Sequence, residues 1–91
     1  MPDPILDFTV TSHARLEMER RRLDEALLRS VLAHPGQRIA VRAGRDILQS
    51  RLAIGGKEYL VRVFVDVDRS PPEIVTAYRT SKIDKYWEDE P

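Results

Sequence analysis

A stretch of sequence with apolar side chains on both faces of an extended chain, residues 57–67, constrains the fold most. Tyr59 and the four valines that alternate after it lie on one face, and Leu60 and Phe64 lie on the other. A strand that is apolar on both faces has to be covered on both sides, as the central strand of a sheet is. We therefore expect a sheet with this segment in its middle.

The sequence on either side of residues 57–67 predicts further strands. Gly55-Gly56 is a two-residue hairpin signal, because glycine tolerates the positive φ of such turns. It joins the central strand to a segment in which Leu48, Leu52 and Ile54 share a face. Alternating patterns complete a set of five predicted strands, at residues 5–10, 38–43, 48–54, 57–67 and 73–79.

Two helices are predicted between the first and second strands. The hydroxyl pair Thr11-Ser12 offers an N-cap for a helix over residues 13–22, and Asp24 offers the N-cap of the next helix. Leucine and valine then recur at helical spacing until Pro35 and Gly36 stop the second helix.

The element order β-α-α-β-β-β-β predicts an α+β fold, with an antiparallel sheet and both N-terminal helices on one of its faces. Ser81 is a candidate cap for a short C-terminal helix that includes Ile83, Tyr86 and Trp87. At 91 residues, the chain is expected to form a single domain, 1–91, whose core covers about residues 8–87.

Composition and motif spacing exclude several classes of protein. The chain has no cysteine, which excludes disulfides, thiolate zinc sites and cysteine nucleophiles. His13 and His34 are distant in sequence, so we expect no metal. Gly55-Gly56 lacks the spacing of a phosphate loop, so we expect no cofactor.

The N-terminus lacks a signal peptide's cationic start, and no apolar run approaches the roughly 20 residues that span a bilayer. A cytoplasmic protein without a membrane partner is the expectation.

The net charge of zero conceals an uneven distribution along the chain. Residues 1–11 carry two acids and no base, residues 12–62 carry eleven bases and six acids, and residues 63–91 carry four bases and seven acids. The differences are −2, +5 and −3, which sum to zero. Twelve of the fifteen bases are arginine, whose planar fork suits phosphate binding. A mixed, solvated surface and a local basic face for RNA or an acidic partner are both open at this point.

Three segments, TSHARLEMERR, KEYLVRVFVDV and EIVTAYRTSKIDKYW, hold the candidate functional residues. A His-Ala pair opens the first helix, a helix ends at His-Pro, the strands form a meander, and V-T-x-Y precedes a Ser-Lys segment. In these features the chain resembles, over roughly residues 8–87, a small bacterial family of unknown function related to the BrnT and RelE toxins. The resemblance implies a RelE-like fold and a metal-independent endoribonuclease of a type II toxin–antitoxin system.

The resemblance also implies roles for individual residues. His13 matches the histidine that opens the helix, and an imidazole serves as acid or base near neutral pH. Arginine and lysine stabilise developing phosphate charge, while threonine, serine and tyrosine position phosphate or ribose, and tyrosine alternatively stacks a base. The candidate catalytic residues are His13, Arg62, Thr76, Tyr78 and Arg79, and the candidate RNA-binding residues are Arg20, Ser81 and Lys82.

The implied partners are RNA, including ribosome-bound mRNA, and a cognate antitoxin protein, and a homodimer is a further expectation. The neutral net charge departs from the basic character of such toxins. One alternative is therefore a non-catalytic RelE-like domain that binds RNA or a partner protein, and another is a small housekeeping protein. Each candidate residue also has a structural interpretation: His13 as a surface residue, Arg20 as part of a solvated helix face, Thr76 as a strand former and Tyr78 as a packing group.

Overall fold

The structure, a computed structural model, describes residues 2–89 and has the predicted order of elements. Within this part of the chain the elements are β1 Thr9–Val10, α1 Ser12–Arg20, α2 Glu25–Ala33, β2 Gln37–Arg42, β3 Arg45–Ile54, β4 Lys57–Asp66, β5 Glu73–Thr80 and α3 Ile83–Tyr86. The predicted α+β class and the short C-terminal helix are confirmed. No helix in the described range is long and apolar enough to cross a membrane.

The sheet is mixed, whereas the sequence predicted an antiparallel one. Its strand order is β1-β5-β4-β3-β2, which places β4 in the centre, as its two apolar faces predict. Strands β2 to β5 pair antiparallel in sequence order, but β1 lies parallel to β5, with Val10 opposite Ile74. The prediction fails at β1 because two helices follow it, so no tight turn fixes its direction relative to a neighbour.

The first strand is much shorter than predicted. Residues 5–10 alternate like a strand, yet only Thr9 and Val10 pair with β5. Ile5 turns instead toward the second helix, where its backbone N–H donates to the carbonyl of Leu32 at 2.8 Å. Its side chain is buried in the core, so burial against α2 replaces strand pairing at this position.

Both helices begin at the capping residues that the sequence predicts. Thr11 Oγ1 accepts from the N–H of Ala14 at 3.0 Å, and Asp24 Oδ1 accepts from the N–H of Leu27 at 2.8 Å. α1 ends at Arg20, two residues earlier than predicted. The chain then bends through Arg22, which adopts a positive φ of 56°, before α2 starts.

One face of the sheet packs against both helices. A single core joins the buried side chains of α1 and α2 with alternate residues of β3, β4 and β5; its members include Ala14, Met18, Leu28, Val31, Leu32, Leu48, Val61, Val63, Val65, Ile74 and Ala77. Alternation along the strands sends the intervening residues, among them Gln49, Arg62 and Tyr78, to the opposite face. We call this opposite face the second face.

The C-terminal segment, residues 83–89, lies against the second face. It begins at α3, whose N-cap position is held by Lys82 without a side-chain hydrogen bond. Ser81, the predicted cap, is exposed and makes no capping contact. Trp87, predicted within the helix, is its C-cap residue.

Candidate functional site

Arg62 is a buried arginine at the centre of the second face. Its side chain belongs to the middle strand, and the residue is only 8% exposed. Nε donates to Gln49 Oε1 at 2.9 Å, and Nη1 donates to the Tyr78 hydroxyl at 2.6 Å. Among residues 2–89 it forms no ion pair with a carboxylate. A buried guanidinium with only neutral partners retains its attraction for an anion.

Three aromatic rings surround the Arg62 guanidinium. Its central carbon lies 4.3 Å from the ring centre of Tyr86, 5.6 Å from that of Phe64 and 5.7 Å from that of Tyr78. The faces of such rings are electron-rich and attract a cation. The rings therefore lower the cost of burying the charge without cancelling it. They also give the second face a set of flat surfaces suited to stacking.

Two buried glutamines connect Arg62 to the C-terminal segment. Gln49 is fully buried, and its Nε2 donates to Gln37 Oε1 at 2.8 Å and to the Tyr86 carbonyl at 3.2 Å. Gln37 in turn donates to the Glu88 carbonyl at 2.5 Å and accepts from the Glu88 N–H at 3.1 Å. Because these bonds go to main-chain atoms, they fix the course of the C-terminal segment and hold the Tyr86 ring over Arg62.

A second polar cluster joins α1 to the edge of β5. His13, Glu17 and Arg21 follow one another at four-residue spacing, which places them on one side of the helix. Glu17 lies 3.4 Å from His13 Nε2 and 3.0 Å from an Arg21 guanidinium nitrogen, and it accepts a hydrogen bond from the Thr76 hydroxyl at 2.5 Å. Arg21 also donates to the Ala77 carbonyl at 2.8 Å, on the edge of β5 that the short β1 leaves unpaired.

Glu17 is held as a carboxylate. The hydrogen bond from Thr76 is the largest influence that keeps the pKa of Glu17 below its ordinary value, and the charges of Arg21, His13 and Arg20 act in the same direction. The His13 side chain is 76% exposed, so its imidazole is accessible to a ligand while Glu17 orients it. An exposed imidazole oriented by a carboxylate is an arrangement that accepts and delivers protons.

The two clusters are neighbours on β5. Thr76 pairs with Phe64 and Tyr78 pairs with Arg62, so the two β5 residues belong to the same face at two-residue spacing. Two residues of a strand span about 6.6 Å. Phe64 lies between the clusters, and its ring stacks on that of Tyr78 with centres 6.1 Å apart. The structure thus brings four candidate residues into one strip, namely His13, Thr76, Tyr78 and Arg62.

The other candidate residues lie outside this strip. Arg79 alternates with Tyr78 and pairs with Val61, so it belongs to the helix-packed face, where it lies 5.0 Å from the ring of Tyr59. Ser81 and Lys82 are exposed beyond the end of β5. Arg20 is exposed and forms no ion pair among residues 2–89, although its charge acts on Glu17.

Six residues of the site were not among the candidates, namely Phe64, Tyr86, Glu17, Arg21, Gln37 and Gln49. The spacing of Glu17 and Arg21 is a signal for an ion pair within a helix, and it favours Arg21 over Arg20 as the neighbour of Glu17. The two glutamines give no such signal, because their contacts depend on the pairing of β2 with β3 and on the path of the C-terminal segment.

Among residues 2–89, no group of three or more His, Asp or Glu side chains is arranged to hold a metal ion. The strip offers instead an imidazole, a carboxylate, a phenol and two guanidinium groups. Guanidinium groups bind anions, and imidazole and phenol groups accept and donate protons.

Comparison with known proteins identifies one related family. No curated protein and no solved structure matches the chain. The model of a domain of unknown function, DUF4258, matches residues 10–79, which is 70 of the 91 residues. The match includes every residue of the strip and ends before the C-terminal segment. The chain therefore belongs to the DUF4258 family.

Proposed function

We propose that this chain is a RelE-like, metal-independent endoribonuclease that cleaves RNA by attack of the 2′-hydroxyl on the adjacent phosphate. The observation that carries the proposal is the His13–Glu17–Thr76 cluster beside the Tyr78–Arg62 pair on one strand. The first supplies a proton acceptor and the second an anion-binding guanidinium. RNA cleavage by its own 2′-hydroxyl needs both and needs no metal.

In the proposed reaction, His13 Nε2–H faces Glu17, and Nδ1 takes the proton of the 2′-hydroxyl as the 2′-oxygen bonds to phosphorus. The bond from phosphorus to the 5′-oxygen breaks, which leaves a 2′,3′-cyclic phosphate and a 5′-hydroxyl. Tyr78 donates the proton to the 5′-oxygen, and after cleavage the proton on His13 returns to the Tyr78 phenolate through water, which restores both groups. Its phenol is suited to this role because the hydrogen bond from Arg62 occupies an oxygen lone pair and leaves the phenolic proton free.

Two arginines neutralise charge in this scheme. In this scheme the Tyr86 ring that covers Arg62 moves aside when the phosphate binds, and the guanidinium then stabilises the negative charge that develops on the phosphate oxygens. Arg21 pairs with Glu17 at 3.0 Å, which offsets the repulsion between this carboxylate and the substrate. Glu17 stabilises the imidazolium that forms on His13 and acts as a positioning residue.

The biological setting belongs to the proposal through the resemblance to BrnT and RelE toxins. It comprises a type II toxin–antitoxin system, a cognate antitoxin protein that neutralises the enzyme, free or ribosome-bound mRNA as substrate, and the cytoplasm as compartment. Assembly into a homodimer is part of the same expectation.

A second candidate function is a non-catalytic domain that binds RNA or a partner protein. The observation that favours it is the cover over Arg62, which is 8% exposed beneath the Tyr86 ring. In this alternative Arg62 and its rings stabilise the second face, and the His13 cluster fastens α1 to β5.

Induced expression in bacteria distinguishes the two functions. The wild-type chain is expected to arrest growth and degrade RNA, and His13→Ala is expected to abolish both effects while the protein still accumulates. Glu17→Gln should weaken them, with Glu19→Gln, an exposed position on the same helix, as the matched control that retains full effect. Harmless expression of the wild type, with RNA intact, rejects the enzyme and leaves the binding domain.

A further inference from the structure

A groove at the free edge of β3 lies outside the strip. β2 pairs with β3 only from Gln49 toward the β2–β3 turn, so the stretch of β3 that leads to Ile54 has an outer edge without a strand partner in the described range. The groove has a volume of about 340 Å³ and is lined by the end of α2, this edge of β3 and Trp87. That volume falls within the range of small-ligand pockets.

Arg51 and Trp87 form one wall of the groove. The Arg51 guanidinium lies 4.6 Å from the ring centre of Trp87 and forms no ion pair among residues 2–89. Trp87 is held both by its backbone and by its ring. Its backbone N–H donates to the Ile83 carbonyl at 2.8 Å, and its edge lies so near Gly36 that a Cβ there would be 2.9 Å from the ring. The wall is therefore a fixed aromatic surface with an available cation.

His34 also lines the groove. Its backbone is fixed at both ends, because its N–H donates to the Ser30 carbonyl at 3.0 Å and its carbonyl accepts from Ser50 Oγ at 3.3 Å. The imidazole belongs to an exposed residue. None of the described residues that line the groove is acidic. Glu88 and Asp89, the nearest acids along the chain, line a different hollow beside Gln37.

We propose that this groove binds one nucleotide of a single-stranded RNA, with the base stacked on the face of Trp87 opposite Arg51 and its phosphate held by Arg51 and His34. Stacking on an aromatic ring accepts every base, and arginine binds phosphate through paired N–H groups. The inference rests on the proposed function, since it adds a subsite to the same substrate. Trp87 follows Tyr86 directly in the sequence. The C-terminal segment therefore covers Arg62 with Tyr86 and lines the groove with Trp87, which makes the groove a neighbour of the strip.

The test uses a 2′-O-methyl RNA of about eight nucleotides, a length within the usual range of single-strand sites. This RNA lacks the free 2′-hydroxyl and stays intact even if the protein is a ribonuclease. Trp87 is the single tryptophan of the chain, so its fluorescence reports on the groove alone. We expect saturable quenching in the wild type. In fluorescence anisotropy with labelled RNA, Arg51→Gln and Trp87→Ala are each expected to weaken binding by about tenfold.

Arg69→Gln is the matched control, because Arg69 is an exposed arginine that lies 3.8 Å from both Asp66 and Glu73 at the other end of the sheet. It should bind the RNA like the wild type. The subsite would be overturned if the RNA binds without quenching Trp87 fluorescence and if Arg51→Gln and Trp87→Ala bind it with wild-type affinity. That result would leave the ribonuclease proposal intact. If the RNA quenches Trp87 fluorescence in the wild type but the wild type does not cut ordinary RNA, the subsite is supported and the nuclease is rejected. Absence of RNA binding in the wild type would overturn the subsite, and the growth and RNA-degradation experiment judges the nuclease separately.

Discussion

Arg62 places a positive charge where its protein partners are neutral. It is surrounded by Gln49, the Tyr78 hydroxyl and three aromatic rings. Because the guanidinium is buried, the stability of the protein depends on the geometry of these contacts. Removing one acceptor from a buried charged group costs more than forming that bond contributes, because the remaining donor has lost its water. Gln49 is the most consequential of these partners, since it also donates to Gln37 and to the Tyr86 carbonyl.

Replacing Gln49 with leucine should lower the free energy of unfolding by about 2–3 kcal/mol, since it leaves several buried polar atoms unpaired. Urea denaturation of the purified protein measures the change. Adding Arg62→Met should recover part of the loss, because the guanidinium that lacks an acceptor is then gone. Strictly additive losses in the double variant would show that Gln49 and Arg62 are not coupled.

Glu17 predicts a pH dependence of stability. A carboxyl group whose pKa is lower in the folded protein adds stability above its ordinary pKa, 4.5 for glutamate, and that stability is lost as the pH falls through the lowered pKa. The free energy of unfolding should therefore fall as the pH drops below about 4.5. Asp66 adds stability with the same pH dependence, because its hydrogen bond with Arg45 lowers its pKa below the ordinary value of 3.8 for aspartate.

Urea denaturation over this pH range separates the two carboxyl groups. Glu17→Gln should show a shallower decline than the wild type, because only the Asp66 contribution remains. Glu19→Gln should follow the wild-type curve. Identical curves for Glu17→Gln and the wild type would contradict the claim that Thr76 and Arg21 stabilise the Glu17 carboxylate in the folded protein.

At the scale of elements, the C-terminal segment is the part that most affects the site. It covers Arg62 with Tyr86, and it is held by two glutamines and by the packing of Trp87 on Gly36. Amide hydrogen bonds and ring contacts of this kind are individually modest. The segment is therefore the element whose displacement most directly exposes the buried guanidinium.

Gly36→Ala tests how this segment is held. The added Cβ would lie 2.9 Å from the Trp87 ring and 3.2 Å from the Gln49 carbonyl, so the ring has to move away from the edge of β3. We expect a red-shifted Trp87 emission as the indole gains contact with water, with little change in far-UV circular dichroism. Emission identical to the wild type would show that Trp87 does not pack on Gly36 in solution.

At the scale of the whole molecule, the arginines of the sheet differ in whether a carboxylate pairs with them. The ion pairs Arg38–Asp46 and Arg45–Asp66 lie near the β2–β3 turn. Arg51 lies toward the β3–β4 hairpin and Arg62 lies in the middle of β4, both without ion pairs in the described range. A chain of zero net charge thus keeps a local cationic surface. Neutral overall charge and binding of an anionic polymer are compatible in this arrangement.

Features of the fold that depend on the local pattern of residues can be predicted from the sequence, whereas features that depend on contacts between distant segments cannot. The central place of β4 follows from its two apolar faces, and the start of α2 follows from the Asp24 side chain. The direction of β1 and the partners of Gln49 depend on contacts between segments far apart in the chain, which periodicity does not encode. For the same reason the sequence indicates Arg62 and Tyr78 individually but does not predict the hydrogen bond between them.

The central claim concerns RNA cleavage by His13 without a metal. Its most direct test incubates the purified protein, in excess EDTA, with a DNA oligonucleotide that contains one ribonucleotide, and identifies the product ends by mass spectrometry. The account predicts a 2′,3′-cyclic phosphate and a 5′-hydroxyl at the ribonucleotide, with the rate lowered by at least about 100-fold in His13→Ala. An uncut oligonucleotide, or cleavage that His13→Ala leaves unchanged, would contradict it.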